Sequence, residues 1–475
     1  MTAQIPPLAR QAIEKIRDLL GPHGWIDAPG DMERYLSEQR GLFKGQCAGV
    51  ARPATSDDVC VVIEICSEAG ICVTPQGGNT GLVGGAVPQY SDHCGIVLAT
   101  ERLNRIREID PLNQTITVEA GVILADVQKA ARDAGMLFPL SLGAEGSCRI
   151  GGNLATNAGG VQVLRYGNAR DLVLGLEVVL ADGRKWEGLS RLRKDNTGYD
   201  LKHLFMGSEG TLGIITACVL KLYALPRYQE TVLCAAADAP AVLNLFGRVR
   251  TAVGDGLTAF EIINRFAFDT TVKHIDGCTD PFDHSHEQYA LVQTGGMSKD
   301  LREVLEETLA LALEEGVIAD AVFAHSSSQA ADLWRIRETI PEAQKHEGAS
   351  IKHDVSVPVS SVPDFLVRAT ELVARELAGT RICAFGHAGD GNIHFNLSQP
   401  LDMASDVFLN KWHDFNRQIH DLVMQMGGSF SAEHGVGMLK RDDLKRYKSD
   451  VEIDLMQRMK HALDPDGILN PGKIL

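Results

Sequence analysis

Two histidines, His387 and His394, flank a strong turn signal in this sequence, Asp390-Gly391. The run Phe385-Gly386-His387-Ala388-Gly389-Asp390-Gly391-Asn392-Ile393-His394-Phe395-Asn396 reads as a β-hairpin, because Asp-Gly suits a two-residue turn. With Asp390 and Gly391 as that turn, Gly389 faces Asn392, Ala388 faces Ile393 and His387 faces His394. Directly opposed side chains share a face with Cβ atoms about 5 Å apart. That spacing suits two imidazoles on one metal, each bond being about 2.0–2.1 Å. Strand alternation puts Asn396 on the same face as His394. The blander alternative is a pair of sheet histidines bonded to one another. A second element is Ser431-Ala432-Glu433-His434-Gly435-Val436-Gly437, where an acid beside a histidine could supply a third ligand and a base. In an extended chain Glu433 and His434 point to opposite faces, so one residue would rarely do both jobs.

The first half carries three glycine-rich clusters. They are Pro75-Gln76-Gly77-Gly78-Asn79-Thr80-Gly81 with Gly84-Gly85; Gly143 to Ser147, then Gly151-Gly152-Asn153 and Thr156-Asn157-Ala158-Gly159-Gly160; and Gly207-Ser208-Glu209-Gly210-Thr211-Leu212-Gly213. Glycine reaches positive φ and lets a ligand approach the main chain. Consecutive backbone N–H groups in such loops make anion-binding nests. One cluster alone is more often a tight turn. Three, interleaved with Asn, Ser and Thr, point to a large phosphorylated cofactor. None fits the phosphate loop GxxxxGK[ST] or the dinucleotide fingerprint GxGxxG after a strand, so a Rossmann domain is not supported.

The elements that position these loops alternate in the first half. Thr55 and Ser56 cap a helix carrying Val59, Val62, Ile63 and Cys66, which Gly70 stops. Ile71–Thr74, Gln114–Glu119 and Val173–Leu180 read as strands, and Val122–Ala134 as a helix. Met1–Leu20 has amphipathic helix spacing, with Leu8, Ile13, Ile16, Leu19 and Leu20 as its apolar positions, and is not a secretory signal. From about Pro226 the glycine loops stop. Strand-like Thr231–Ala235 and Tyr289–Thr294, each followed by a helix (Ala239–Val249, Leu301–Glu315), predict a sheet with helices on one face. Asp276–His286 is polar and turn-rich, which predicts an exposed loop.

At 475 residues the chain is long enough for two or three structural units. A net charge of -16 argues against bulk binding to nucleic acid. No apolar run of about 18 residues occurs, so no membrane span is expected. Ten cysteines without a CxxC pair read as reduced, mostly buried thiols, which fits a cytoplasmic protein.

The first glycine cluster, the stretch Gly143–Gly160, and Leu192-Arg193-Lys194-Asp195-Asn196-Thr197-Gly198-Tyr199-Asp200 through Gly207–Thr216 closely resemble the vanillyl-alcohol-oxidase-type (PCMH-type) flavoproteins. Within them the chain is most similar to the D-2-hydroxyglutarate and D-lactate dehydrogenase group, from about Gly41 to the C-terminus. The resemblance implies an α+β fold: a two-subdomain PCMH-type FAD-binding domain at 1–225, an α+β substrate (cap) domain with an antiparallel sheet at 226–427, and a C-terminal segment at 428–475 completing the flavin site. The pyrophosphate of FAD would sit on Gly77–Gly81. The flavin would be lined by Asn153, Thr156, Asn157, Gly160, Glu209 and Ile215. Further cofactor contacts are expected from Pro75, Gln76, Ser147, Gly152, Gly159, Gly210, Gly213 and Asn470. Some relatives attach FAD through a His in the first loop; Asn79 stands here, so non-covalent FAD is expected.

The same resemblance implies His387, His394 and Glu433 as ligands of a divalent metal, with His434 near the flavin. Three protein ligands leave a position for substrate. On ligand type zinc fits best, with Mn or Co compatible. Arg337 and Lys352 become partners for a substrate carboxylate, and Asn396 joins them. The expected reaction is oxidation of a D-2-hydroxy acid to the 2-oxo acid. A metal on the hydroxyl lowers its pKa, His434 takes the proton, and hydride passes from C2 to flavin N5. D-2-hydroxyglutarate is the first candidate and D-malate the second. Hydroxyglutarate enzymes have a Thr four residues after this Arg, where Pro341 stands here, so D-lactate stays open. An oxygen-reducing oxidase is an alternative, and a non-redox flavoprotein transferase ranks low because no run of adjacent histidines occurs. A soluble electron-transfer flavoprotein or a quinone-linked protein is implied as acceptor, and the group allows a homodimer.

Overall fold

The strand Tyr228–Ala236 contains Val232-Leu233-Cys234-Ala235-Ala236, an apolar run without alternation, and every one of these residues is buried in the computed structural model. Such a run must be covered on both faces. Val232 and Cys234 pack among Leu245, Leu305, Phe365 and Ile419, from the helices Ala239–Val253, Leu301–Glu314, Val362–Glu376 and Trp412–Gln425. Leu233 and Ala235 face Phe268, Leu333 and Trp334, from the helices Arg265–His274 and Ser327–Glu338. The expectation of helices on one face only is therefore corrected. The absence of polar alternation was the signal that a second layer was needed.

The structure describes residues 6–90 and 94–475. They divide into two compact units, one made of 6–90, 94–160, 167–225 and 433–475, the other of 161–166 and 226–432.

In the second unit an eight-stranded antiparallel sheet runs Asp320–Phe323, Tyr228–Ala236, Gln288–Gly296, Leu257–Asn264, Arg381–His387, Asn392–Ser398, Ser350–Ile351, with Asp354–Ser356 also paired to Asn392–Ser398. Its register aligns three rows on one face: Glu261, His387 and Asn392; Ile263, Phe385, His394 and Asp354; Cys383 and Asn396. The polar turn-rich segment 276–286 is less exposed than expected. Cys278 and Phe282 are buried, and Phe282 stacks on Tyr289 at 5.7 Å.

The first unit holds two sheets. One has the order Trp25–Ile26, Val50–Ala51, Gly95–Ala99, Cys72–Gln76, with the last three strands parallel. The other is antiparallel: Ile106–Asp110, Thr115–Glu119, Ile214–Lys221, Val173–Val179, Lys185–Gly188. The helix Ser56–Ala69 starts on a capping box between Thr55 and Asp58 and ends at Gly70, which is left-handed. The N-terminal helix Pro7–Leu20 buries Ala9, Ala12, Ile13 and Ile16. Leu8 and Leu19, expected on the apolar face, are exposed. The small alanines complete the i, i+3, i+4, i+7 stripe instead. All ten cysteines are free thiols, and most are buried. No described helix is long and apolar enough to cross a membrane.

In the second unit Glu347 pins three basic side chains: Lys273 at 2.8 Å, His274 at 2.6 Å and Arg381. The hydrogen bonds of Lys273 and His274 hold its carboxyl down at about 2. A depressed carboxyl stabilises the fold above its unfolded pKa, roughly 4.3, and loses that contribution as pH falls through the folded value. Glu347→Gln is expected to flatten the acid limb of stability between those two pH values. Thermal melts across that window check this; an unchanged acid limb in the variant refutes it.

Candidate functional site

In the first unit the glycine loops converge. The parallel strands Cys72–Gln76 and Gly95–Ala99 end side by side, so Pro75, Gln76, Gly77 and Thr100 open onto one cleft. Ligands of parallel sheets sit at such carboxyl ends. Gly152, Thr156, Glu209, Gly210, Gly213 and Ile215, all anticipated from sequence, line it too. Gly85 and Gly151, both from the anticipated glycine clusters, join them, as do Val83, Ala86, Ala155 and Ile214, which were not anticipated. The cleft encloses about 650 Å³ of empty space, part of it open solvent. Glycine is required at the crossings. A Cβ on Gly78 would lie 2.3 Å from the Ser147 carbonyl oxygen, and one on Gly210 would lie 2.5 Å from Pro75 Cγ.

The side chains of the first loop have a different task from its backbone. Gln76 donates to the carbonyls of Tyr35 and Ala86, and Asn79, at φ +53°, donates to those of Arg34 and Ser37. These bonds fasten the loop to the protein, so the main chain is what it offers a ligand. Asn157, at φ +50°, likewise accepts from the Arg170 N–H. Ser147 is exposed at the cluster's edge, and its hydroxyl donates to Ala144 O at 3.4 Å. Asn153 and Asn470 each bury an amide oxygen that has no hydrogen-bond partner, an arrangement that asks for a donor from a ligand. Gly159 and Gly160 follow in the same unit, and a Cβ on Gly159 would lie 3.0 Å from Glu433 Oε1. Thr80 and Gly81 complete the first loop.

Glu209 ties the C-terminal segment to the third loop. Its carboxylate accepts the N–H groups of Val436 at 2.7 Å and Gly437 at 2.8 Å, while Asn470 donates to the Glu209 and Gly85 carbonyls. Burial pushes the Glu209 carboxyl above the ordinary range, against those two N–H groups and the charges of Lys440 and Lys473. His434 lies half-buried in this segment, next to Gly435 at φ +78°.

In the second unit the hairpin forms with another register. The strands Arg381–His387 and Asn392–Ser398 enclose a four-residue turn, Ala388–Gly391, so His387 pairs with Asn392 and Phe385 with His394. The expected His387–His394 pairing over a two-residue turn is corrected by a slip of two. The His387 carbonyl accepts from both Asp390 and Gly391, and Asp390 Oδ1 caps the Asn392 N–H, which is what widens the turn. A slip of two preserves the face, since side chains alternate with period two. His387 and His394 are therefore diagonal neighbours, with ring centroids 5.9 Å apart and donor nitrogens within 4.8 Å. Asp354 Oδ1 lies 3.9 Å from His394 Nδ1.

Sequence reasoning missed Glu261. It is fully buried and bridges two of the anticipated residues: Oε1 is 2.6 Å from His387 Nδ1, and Oε2 accepts from Arg337 Nε at 2.6 Å. Burial alone would raise its pKa; His387 and Arg337 outweigh that and hold it at about 2. The signal was there: one charge inside the apolar strand Leu257–Asn264. A buried charge must be paired. Arg337, 6% exposed, also lies over the Phe385 ring at 4.8 Å. Lys352 lies near the strand Arg381–His387, since it and Arg337 pull on the Cys383 thiol, which burial pushes up to about 12. Asn396 is buried and donates to Gln344 at 3.0 Å. Thr339, beside Pro341, spends its hydroxyl on the Arg335 carbonyl at 2.7 Å.

Residues 47–187 match the family described as FAD binding domain, and residues 225–474 the family described as FAD linked oxidases, C-terminal domain. The chain is 37% identical over 98% of its length to a probable mitochondrial D-2-hydroxyglutarate dehydrogenase of Oryza sativa subsp. indica, covering 81% of that protein. It is 35% identical over 98% of its length to a putative mitochondrial D-lactate dehydrogenase of Schizosaccharomyces pombe, covering 90% of it. Among solved structures, p-cresol methylhydroxylase with substrate bound shares the fold, with a TM-score of 0.79 at 17% identity, covering 99% of this chain and 98% of the other.

The close crossing of the first two loops generates a test. Gly78→Ala must push Ser147 away, so the purified protein is expected to carry less FAD per chain, by about tenfold or more for a displacement costing at least ~1.4 kcal/mol. Flavin-to-protein absorbance ratios after gel filtration check this; full flavin occupancy would show that the crossing can spread at no cost.

Proposed function

The chain belongs to the FAD-linked oxidase family, and we propose that it is an FAD-dependent dehydrogenase oxidising a D-2-hydroxy acid, D-2-hydroxyglutarate first, to the 2-oxo acid. The observation that carries the substrate class is one sheet face bearing two imidazoles, His387 and His394, with the buried Arg337 of the helix Ser327–Glu338 set on that face through Glu261 and Phe385. A 2-hydroxy acid presents a carboxylate and a hydroxyl on adjacent carbons. It asks for an anion anchor and a hydroxyl-activating group at short range.

The glycine cleft fits FAD: Gly77, Gly85, Gly151, Gly152, Gly210 and Gly213 line it, and the anchored Gln76 and Asn79 leave the loop backbone for phosphate. Asn153, next to Gly152, and Asn470, which donates to Gly85 and Glu209, each keep a buried amide oxygen without a partner. With Asn79 where some relatives place a cofactor-bearing His, the FAD is non-covalent. His387 and His394 fit a borderline metal by donor type, and zinc is the first choice. Together with Glu433 they would hold it. Bound FAD would supply the hydride acceptor, and a metal held there would supply Lewis acidity.

The remaining work falls to this chain's own side chains. Arg337 is held through Nε, which keeps its two terminal nitrogens for a carboxylate. Lys352 adds a second positive charge. Asn396, its amide N–H given to Gln344, has Oδ1 to accept from the hydroxyl. His434 accepts the hydroxyl proton at a ring nitrogen. The electron acceptor is an electron-transfer flavoprotein or a quinone-linked protein, the compartment is a reducing one such as the cytoplasm, and the assembly is a homodimer.

D-Lactate is the second reading. Pro341 cannot donate, and Thr339 is committed to Arg335, so the far carboxylate of hydroxyglutarate loses one hydroxyl partner.

Anaerobic bleaching of the flavin by D-2-hydroxyglutarate, D-malate and D-lactate, with and without prior chelation, tests the proposal. Stereospecific bleaching abolished by chelation is expected, and bound flavin that none of the acids reduces would refute it. His387→Ala should lower turnover by at least ~100-fold with flavin retained. Arg337→Lys keeps the charge but loses the fork, and should raise KM about tenfold with a smaller change in kcat. Steady-state kinetics on the two variants separates ligand loss from anchor loss.

A further inference from the structure

Glu261 belongs to neither the anticipated ligands nor the anticipated substrate partners, yet both of its oxygens are used by them. Register pairs it with His387 across two adjacent strands, and Arg337 reaches it from the helix Ser327–Glu338 on the same face. We propose that Glu261 is a positioning residue: it fixes His387 as the Nδ1–H tautomer, so that Nε2 is presented as a bare donor, and it locks that imidazole and the Arg337 guanidinium into one rigid unit.

The argument is one of donors and acceptors. Arg337 Nε can only donate, so Oε2 accepts. A carboxylate held that way has only lone pairs to offer through Oε1, and the 2.6 Å contact then requires a hydrogen on His387 Nδ1. A neutral imidazole with its hydrogen on Nδ1 has its one in-plane lone pair at Nε2. Metal-binding histidines characteristically give their other N–H to a carboxylate, which fixes ring orientation and raises basicity. Here the same carboxylate also sets the guanidinium, whose Cζ lies 4.8 Å from the Phe385 ring centroid. The distance between the anion anchor and the imidazole donor is thus set by one side chain. Glu261 touches neither substrate nor cofactor in this scheme and acts through its two partners. The metal half of the inference rests on the function proposed above; the orientation of His387 does not.

The test uses full-length flavoprotein stripped of metal by a chelator. Zinc affinity is measured by competition with a chromophoric chelator, and the protonation of His387 by nitrogen-15 NMR of histidine-labelled protein, assigned with His387→Gln. Glu261→Gln is expected to weaken zinc about 10–100-fold and to shift His387 towards the Nε2–H tautomer. A purely structural role would lower the melting temperature without moving the tautomer. A variant within about threefold of wild-type zinc affinity and with an unchanged tautomer overturns the proposal. Should Glu261→Gln not fold, the wild-type spectrum decides, and an Nε2–H tautomer there overturns it. Wild-type protein that takes up no zinc while holding His387 as Nδ1–H overturns the metal assignment and leaves the positioning role standing.

Discussion

A carboxylate with no access to water sits in the middle of the eight-stranded sheet, and its pairing constrains everything around it. Unpaired, Glu261 would cost several kcal/mol in that environment. Arg337 and His387 each supply one short hydrogen bond, and the net effect is an acid held at about 2 in spite of burial. The helix Ser327–Glu338 must therefore lie where Arg337 can reach the strand Leu257–Asn264, and the hairpin must bring His387 to the neighbouring strand. A polar cluster of this kind is costly to the fold unless complete. That completeness is also what makes it rigid, and rigidity is what an anchor and a donor at fixed separation need.

The first unit solves a different problem by a different division of labour. Its loops need exposed main-chain donors, which are unstable in a flexible loop. Gln76 and Asn79 hold the first loop by its side chains, Gly78 and Gly210 allow the loops to cross within contact distance, and Glu209 fastens the C-terminal segment through two N–H bonds. Polar residues that look like ligand contacts in a glycine-rich sequence are thus partly scaffolding. The physical reason is that an amide side chain can satisfy two carbonyls at once, and a loop pinned at such points loses little entropy on binding.

Much of this was legible. The capped helix at Ser56–Ala69, the strands that precede the glycine loops, and the free, mostly buried thiols follow from local chemistry. The hairpin shows both the reach and the limit of that reading. Asp390-Gly391 announced a turn, but the contact of Asp390 with the Asn392 N–H lengthened it to four residues and slipped the register. The histidines stayed on one face because the slip was even. The covering of the large sheet on its second face was written in Val232–Ala236, yet it reads as a strand either way until a second layer is seen to pack there. Phe282 belongs to a polar stretch and is buried because it joins the cluster that holds Tyr289 and Phe268.

The sequence by itself determined the chemistry available: three glycine loops for a phosphorylated cofactor, two histidines on one sheet face, and an arginine suited to carboxylates. It did so because residue type and short-range spacing decide which atoms can donate, accept or leave the backbone bare. The tertiary structure alone decided which of those groups are committed elsewhere. Glu261 lies 126 residues from His387 and 76 from Arg337, and no local pattern links them. Only the antiparallel pairing of two strands and the docking of one helix bring them within 2.6 Å, because the energy of a buried charge is set by its neighbours in space and not by its neighbours in the chain.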